Sequence, residues 1–378
     1  MRRLRSRYAH VIRRAWTTVV PPKPLFERIN PTLMKLGLRW DRSRLPYLYR
    51  LAPLQTTRDC SPLVDPPFVR AFEARHMRDE DDVIGLAVDG EARAYPWWIL
   101  DNHHVANDIV AGRPAVVSLC EMCSSGLAFD PVVDGRRLIF RATHVYMGTT
   151  AIEDRQTKSL WSTYFAQAIT GPLRGTSLTL LPAQQMQWGA WRARHPDTLV
   201  LPGYLGSRRG HGSAHTLGSA QLSRDMRRMV PRWDRRLPHN ALVLGVLQGR
   251  EQRAYPLAAL RERGGVVNDE VGGVPVVIMA DLAAGSGGAL AFSRIVDGRP
   301  LTYAAQPGGA VDLESGSRWS PEGVAVEGPL AGTQLTFVPS HVSEWFIWAA
   351  HFPDIQLVGN GFPHPAPEPE EESFTSEE

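Results

Sequence analysis

The chain has 378 residues, of which 43% are hydrophobic and 21% are charged, and its net charge is +3. A charge so close to balance carries no signature for binding nucleic acid or another polyanion. Three cysteines, an odd number, argue against a secreted fold stapled by disulfides. We therefore expect a globular protein with room for two domains, in which Cys120 and Cys123 are reduced thiols.

Two segments of biased composition flank the globular part. Residues 1–60 are interpreted as a basic N-terminal extension, in which 1–14 hold six arginines and no acidic residue. Apolar residues near helical spacing make weak peripheral contact of residues 1–16 with an anionic membrane one interpretation, and a solvated terminus is the other. Residues 361–378 are interpreted as an acidic disordered tail. No signal peptide or membrane-spanning apolar run is recognised, so we expect a cytoplasmic location.

Short apolar runs bounded by Gly, Pro and Asp-Gly turns predict strands at 83–88, 115–119, 138–142 and 178–181. Asp-Gly pairs at 89–90 and 134–135 predict hairpin turns. One short helix is expected after Pro96 and another over residues 185–194. Residues 204–239, rich in Arg, Gly and Ser, are interpreted as a linker.

The later part of the chain repeats motifs of the earlier part in the same order. Arg-Ala-Tyr-Pro occurs at 93–96 and 253–256, Val-Asp-Gly-Arg at 133–136 and 296–299, and Gly-Pro-Leu at 171–173 and 328–330. We interpret residues 62–203 and 240–360 as a tandem duplication of one domain. The expected fold class is α+β and β-rich, with the two copies packed as a pseudo-dimer.

Reactive side chains distinguish the two copies. The thiols and imidazoles of the first copy meet other residue types in the second: Cys120 and Cys123 align with Asp281 and Ala284, and His103 and His104 align with Gly264 and Gly265. Residues 143–153 are also shortened in the second copy. Joint absence from one copy indicates a single shared site in the first repeat and makes the second repeat a degenerate scaffold.

Two cysteines separated by two residues support several chemistries. Both can bind one soft metal ion, copper ahead of zinc, with His103 as third ligand and His144 completing the set. Cys120 or Cys123 can also act as a nucleophilic thiolate, with His103 or His104 as its base. A dithiol–disulfide centre is less favoured, because residues 124–131 look like loop and strand and not like a helix. Two inert buried thiols are the remaining alternative.

Further residues are candidates for supporting roles around the cysteines. They are His104, Tyr146, Met147, Asp154, Arg155 and Trp161. Met147 is a possible soft ligand, and Asp154 with Arg155 could bind an anionic substrate. The glycine-rich stretch at 285–288 lacks the lysine of a phosphate loop, so we expect no nucleotide cofactor.

Several motifs, taken together, resemble a bacterial family catalogued as domain of unknown function 3179. They are Ile84-Gly85, the run 90–96, Asn107-Asp108, the Cys120/Cys123 pair with Gly126, the run 154–157, Trp161-Ser162, the Gly-Pro-Leu at 171–173 and the run 191–198. The resemblance spans most of residues 60–360 and implies no particular activity. The family's loop usually reads Cys-Pro-Leu-Cys-Gly, whereas Glu121, Met122 and Ser124 stand at the variable places here.

These observations predict a soft-metal-dependent enzyme or redox protein that acts on a small molecule, and the enzyme class they suggest is an oxidoreductase. One alternative is a non-catalytic metal-binding or assembly module, and another is a cysteine-thiolate enzyme with a histidine base. An open coordination position beside a pocket would favour catalysis, whereas a closed site with four ligands would not.

Overall fold

A computed structural model describes residues 51–53, 61–207, 217–218, 227, 229–281 and 287–359. We call residues 61–207 the first half and residues 229–359 the second half. The predicted segment for membrane contact and the predicted acidic tail lie outside the described residues. Within the described residues, no helix is long and apolar enough to cross a membrane.

The described chain consists mainly of short strands, which confirms the predicted β-rich character. The strands up to the end of the first half are β1 Leu51–Pro53, β2 Leu63–Val64, β3 Val69–Arg70, β4 Asp82–Val88, β5 Glu91–Pro96, β6 Val105–Val110, β7 Arg113–Cys120, β8 Ser125–Asp130, β9 Val132–Val133, β10 Arg136–Arg137, β11 Phe140–Tyr146, β12 Thr149–Asp154, β13 Leu160–Ser162, β14 Gln167–Ala168, β15 Thr179–Leu181, β16 Ala183–Gln187 and β17 Leu199–Val200. Those of the second half are β18 Leu242–Gln248, β19 Glu251–Pro256, β20 Val266–Val271, β21 Val274–Ala280, β22 Ala289–Ser293, β23 Ile295–Val296, β24 Arg299–Pro300, β25 Tyr303–Gln306, β26 Gly309–Asp312, β27 Arg318–Trp319, β28 Ala325–Glu327, β29 Phe337–Val338, β30 Ser340–Glu344 and β31 Gln356–Leu357.

Helices in the described residues are short and stand between strands. The α-helices are α1 Trp97–His103, α2 Trp188–Arg194, α3 Leu257–Glu262 and α4 Trp345–His351, and the 3-10 turns are Ala71–Glu73, Glu121–Cys123 and Gly203–Leu205. The helix predicted after Pro96 is confirmed as α1. The one predicted over 185–194 is wrong at its start, because Gln185 to Gln187 belong to β16 and pair with β4. Tertiary pairing overrides the good helix propensity of Gln and Met there.

The first half is built from three main sheets, with strand orders β16-β4-β5-β17-β3, β15-β8-β7-β6-β2 and β1-β11-β12-β13-β14. The predicted hairpin at 89–90 is confirmed, since it joins antiparallel β4 and β5. Asp89 and Gly90 both have positive φ, 47° and 84°, as a two-residue turn between twisted strands requires. Asp134 and Gly135 form the corresponding turn between β9 and β10.

The second half has sheets in the orders β30-β18-β19-β31, β20-β21-β22-β29 and β25-β26-β27-β28. Its succession β18-β19-α3-β20-β21-β22 has the same order as β4-β5-α1-β6-β7-β8. The pairing registers also correspond, because Val243 faces Pro256 as Val83 faces Pro96. The same order of elements and the same hairpin register therefore occur in both halves.

The shared motifs have the same structural contacts in each half. Arg93 and Tyr95 both bond Asp108, at 2.5 and 2.6 Å. In the second half, Asp269 accepts hydrogen bonds from Arg253 at 2.6 Å and Tyr255 at 2.7 Å. Each triad ties a β-hairpin to the neighbouring sheet, so the repeated Arg-Ala-Tyr-Pro and Asn-Asp motifs serve packing.

A tryptophan of α2 or α4 packs on a glycine of the central strand in each half. A Cβ atom on Gly85 would overlap the ring of Trp191, and one on Gly245 would overlap Trp348. Glycine at these strand positions is therefore explained by close side-chain approach and not by a turn.

Candidate thiol site

The two cysteines lie at one end of the β7–β8 hairpin. Cys120 ends β7, the 3-10 turn Glu121–Cys123 follows, and Ser124 in the left-handed region, with φ of 50°, returns the chain to β8. This tight turn brings both thiols to the same side, where Cys120 is 2% exposed and Cys123 is 0% exposed. We call this pair the thiol site.

The two sulfurs differ in their hydrogen bonds. The backbone N–H of Thr150 donates to Cys120 Sγ at 3.4 Å, and Cys123 Sγ lies 3.2 Å from Ser125 Oγ. Burial raises the pKa of the Cys123 thiol, and its hydrogen bond with Cys120 raises it further. Burial also opposes ionisation of Cys120, but hydrogen bonds with Cys123 and Thr150 lower its pKa. Cys120 is therefore the sulfur that ionises first, with Cys123 as its proton-bearing partner.

The second half closes over this site. Ser124 Oγ donates to Glu344 Oε1 at 2.9 Å, and the Tyr164 hydroxyl donates to Ser343 Oγ. Glu344 is the last residue of β30, and α4 begins at the next residue. The cysteines share one apolar cluster with residues of α4, so the thiol site lies between the halves.

Two buried histidines of the second half stand beside Tyr164. Its ring centroid lies 4.9 Å from that of His341 and 4.6 Å from that of His351, and Trp348 stacks on His341 at 4.3 Å. Burial lowers the pKa of His341 to about 3 and that of His351 to about 4, so both imidazoles are neutral at pH 7.

These imidazoles leave nitrogen atoms unsatisfied. Among the described residues, neither ring nitrogen of His341 has a hydrogen-bond partner. His351 Nδ1 bonds the carbonyl oxygen of Ile347 at 3.0 Å, while its Nε2 has no partner in the same part of the chain. A buried polar atom left this way costs about 1–3 kcal/mol and calls for a functional explanation.

The histidines predicted from the sequence lie differently. His103 Nδ1 is 2.6 Å from the carbonyl oxygen of Ser61, and its Nε2 is 2.7 Å from that of Leu205, so both ring nitrogens face backbone. His104 does border the cysteine turn, because its Nδ1 lies 3.4 Å from Glu121 Oε2.

The hairpin formed by β11 and β12 carries three further candidates. His144 is half-buried on β11, and its Nδ1 lies 2.9 Å from Thr143 Oγ1. Burial lowers its pKa. Tyr146 and Met147 are buried at the turn that precedes Thr150, and the Tyr146 ring lies 6.5 Å from that of His351. The structure thus brings Tyr146 and its turn close to the thiol site.

The remaining supporting candidates have structural partners. Trp161 Nε1 donates to Asp154 Oδ2 at 3.0 Å, and Trp319 makes the same bond to Asp312 at 2.9 Å in the second half. Asp154 is fully buried while Arg155 is exposed, so the two do not face a common ligand. The repeated Trp–Asp bond explains why both halves carry these residues.

A family model described as Protein of unknown function (DUF3179) matches residues 58–355. The chain belongs to this family. The resemblance expected from the motifs is thereby confirmed over most of the chain. Comparisons with curated proteins and with solved structures give no match. The chemistry of this DUF3179 member must therefore be argued from its own residues.

Sequence reasoning located the thiols of the DUF3179 chain but missed His341, His351 and Tyr164. A usable signal exists, since His341 and His351 stand in the second half at places where the first half has Gln184 and Arg194. The prediction of the thiol site rests on reactive groups that are absent from the second half, so groups present only there were not considered. Within the described ranges, no cluster of three or more His, Cys, Asp or Glu side chains is arranged to hold a metal ion.

Proposed function

We propose that this DUF3179 chain is a soft-metal-dependent redox protein or enzyme, with copper ahead of zinc, whose sulfur ligands are Cys120 and Cys123. The observation that carries the proposal is a pair of thiols on one tight turn, buried between the halves, in which the Cys123 thiol donates to the carbonyl oxygen of Cys120 at 3.9 Å. A small-molecule substrate and a cytoplasmic location, where thiols stay reduced, belong to the same proposal.

Electrostatics around the pair favour a cation. The charged side chains that act on the sulfurs are carboxylates, Glu121 on Cys120 and Glu344 on Cys123. A buried thiolate among carboxylates is unfavourable unless a positive charge compensates it. A metal ion bound by both sulfurs supplies that charge and releases the thiol protons.

Donor number favours copper. Thiolates select soft ions such as Cu(I), and two adjacent sulfurs already satisfy an ion that accepts two ligands. A structural zinc site needs four ligands in a tetrahedron, and the thiol site offers two convergent sulfurs. Burial also limits thiol exchange with another protein, because the attacking and leaving sulfurs must be reached from solvent. A soft-metal centre therefore accounts for the pair better than a dithiol exchange centre does.

We further propose that the chain is a tandem duplication whose copies pack as a pseudo-dimer. The equal order of elements, the equal hairpin registers and the repeated Arg–Tyr–Asp and Trp–Asp contacts support this. On this proposal the thiol site arose by specialisation at one of two related positions.

The test is metal loading of protein purified without a metal-binding tag, in the absence of oxygen. We expect one copper ion per chain by elemental analysis after Cu(I) loading, and background copper in Cys120→Ser and Cys123→Ser. Cys60→Ser is the matched control and should bind copper as wild type does. Wild-type protein that takes up neither Cu(I) nor Zn(II) would overturn the proposal, as would cysteine variants that retain copper.

A further inference from the structure

We propose that the segment directly after the second half, residues 360–363, docks into an apolar groove of that half and that Phe362 is its anchor. The groove lies between α3, the start of β20 and the residue that follows β31, and Arg263, Val267 and Val358 are among the residues that line it. This inference concerns a surface away from the thiol site, so it is independent of the metal proposal.

The corresponding face of the first half is covered by the chain that follows β17. Leu205 packs against the apolar cluster that contains Ile99 of α1. His103, the last residue of α1, has its Nε2 2.7 Å from the carbonyl oxygen of Leu205. A Cβ atom on Gly206 would lie within 3.1 Å of Ile99 and Trp98, so the backbone crosses α1 in close contact. Residues 201–206 therefore close this face of the first half.

The same face of the second half is more open, as far as the described residues go. Trp98 and Ile99 stand two and three residues after the Arg-Ala-Tyr-Pro motif and are 4% and 0% exposed. Ala258 and Ala259 hold the same places after the second copy of the motif, where Ala258 is exposed and Ala259 is partly exposed. An apolar face that is buried in one half thus lacks its cover in the described part of the other.

The chain leaves both halves at the same point of this face. The backbone N–H of Val358 donates to the carbonyl oxygen of the alanine in the Arg-Ala-Tyr-Pro motif at 2.9 Å, as that of Leu201 does in the first half at 3.3 Å. Phe362 follows Val358 by four residues, just as Leu205 follows Leu201 by four. The equal exit and the equal spacing favour Phe362 as the residue that covers the groove.

Side-chain sizes on the two sides of the groove compensate each other. On the helix, Trp-Ile at 98–99 is replaced by Ala-Ala at 258–259 in the second half. In the segment after the last strand, Leu-Gly at 205–206 is replaced by Phe-Pro at 362–363. Apolar contacts tolerate such exchanges when the total volume is kept, so the smaller helix residues leave room for the larger ring.

Charge favours the same occupant. Arg261 and Arg263 stand at the end of α3, with Glu262 between them, and Arg263 lines the groove. The chain beyond Phe362 carries glutamates at 368 and 370–372. Attraction between exposed charges is weak at physiological ionic strength, so we expect the aromatic anchor to contribute most of the binding.

The experiment is hydrogen–deuterium exchange of the full chain, read by mass spectrometry over α3 and β20. We expect Phe362→Ala to raise the exchange rate of these two elements by about tenfold or more, because the groove loses its apolar cover. Phe374→Ala changes the other phenylalanine of residues 361–378, so it is the matched control and should exchange as wild type does. Equal exchange in Phe362→Ala and wild type would overturn the inference.

Photo-cross-linking identifies the occupant directly. With Phe362→p-benzoylphenylalanine we expect a cross-link within one chain to residues 257–267, and the same change at Phe374 should give none there. Cross-links from position 362 to any other part of the chain would overturn the inference. A cross-linked dimer would show that the groove takes this segment from a second copy, and would overturn docking within one chain.

Discussion

His341 shows how burial and a neighbouring histidine set the protonation state of a side chain. It is 2% exposed, Trp348 and Tyr164 cover its ring, and His351 stands nearby, so a second positive charge is disfavoured. Its pKa falls to about 3 by burial first and by His351 second. The same residue type at position 103 has a different environment, because both of its ring nitrogens lie against backbone carbonyl oxygens.

Acid should destabilise the metal-free protein through His341 and His351. An unfolded histidine takes up its proton near pH 6.5, while these two stay neutral in the folded state until about pH 3 and 4. Below pH 6.5 the unfolded state therefore binds more protons, and stability falls by about 1.4 kcal/mol per pH unit per histidine. Denaturant titrations at pH 7 and pH 5 should show a loss of about 2 kcal/mol per histidine.

His341→Asn isolates this effect. The variant should lose less stability than wild type between pH 7 and pH 5, whatever its stability at pH 7. An equal loss in both proteins would show that His341 is not held neutral in the folded state.

Residue identity explains why the thiols were predicted and the imidazoles were not. Cys120 and Cys123 are neighbours in sequence, so their spacing alone places two sulfurs together. His341 reaches the same region only because β30 packs behind the cysteine turn, and spacing along the chain carries no record of that packing. The sequence favours His103 because Gly264 stands at the aligned position, yet its position at the end of α1 turns its ring towards the carbonyl oxygens of Ser61 and Leu205.

Strand β30 and helix α4 together form the part of the second half that packs against the thiol site. Trp348 on α4 packs on Gly245 of β18 and also stacks on His341 of β30. In the first half, Trp191 on α2 packs on Gly85 of β4. The same contact between a helix tryptophan and a strand glycine thus occurs next to His341 and also in the first half, away from it.

Gly245→Ala and Gly85→Ala form a matched pair of overpacking variants. Each added methyl group must displace a buried tryptophan ring, so each should cost about 1–3 kcal/mol of unfolding free energy. Trp348 shares the apolar cluster of Cys120 and Cys123, whereas Trp191 lies in a different cluster, so only Gly245→Ala should also weaken Cu(I) binding at the thiol site. Equal Cu(I) affinity in both variants would show that α4 does not contribute to Cu(I) binding at the thiol site.

Hairpins and helix α1 could be predicted because their signals are local. Asp-Gly turns and the residues around Pro96 determine them within a few positions. The start of α2 could not, since residues 185–187 have helix-forming side chains but gain more by pairing with β4. Strand partners lie far away in sequence, so local propensity does not report them.

The whole molecule is joined across its halves by the thiol site and by the cluster around Arg194 and Asp281. That ion pair is largely buried, and His195 and Glu322 extend it. The repeated motifs predict the repeated order of elements but not which faces meet, because the contact between the halves is made by residues outside those motifs, such as Arg194 and Asp281.

Breaking the ion pair between Arg194 and Asp281 should weaken the contact between the two halves. Asp281→Asn removes the carboxylate closest to Arg194 and leaves that guanidinium only the more distant Glu322 at 3.6 Å, so it should cost about 3 kcal/mol of unfolding free energy, measured by denaturant titration. Arg194→Leu combined with Asp281→Leu should cost less than the sum of the two single changes. Glu327→Gln, which breaks an exposed pair with Arg318, is the control and should change stability by less than about 1 kcal/mol. If Asp281→Asn lowers the unfolding free energy no more than Glu327→Gln does, the buried ion pair does not stabilise the contact between the halves.

Burial of both sulfurs between the halves also has a kinetic consequence. An occupant of the thiol site can leave only when β30 and α4 part from the cysteine turn, so its escape can be no faster than that local opening. The residence time of an occupant then depends on how often the contact between the halves opens, and not only on the strength of the bonds to the occupant. If the thiol site binds a metal ion as proposed, the protein would retain that ion in the presence of competing chelators until the halves separate.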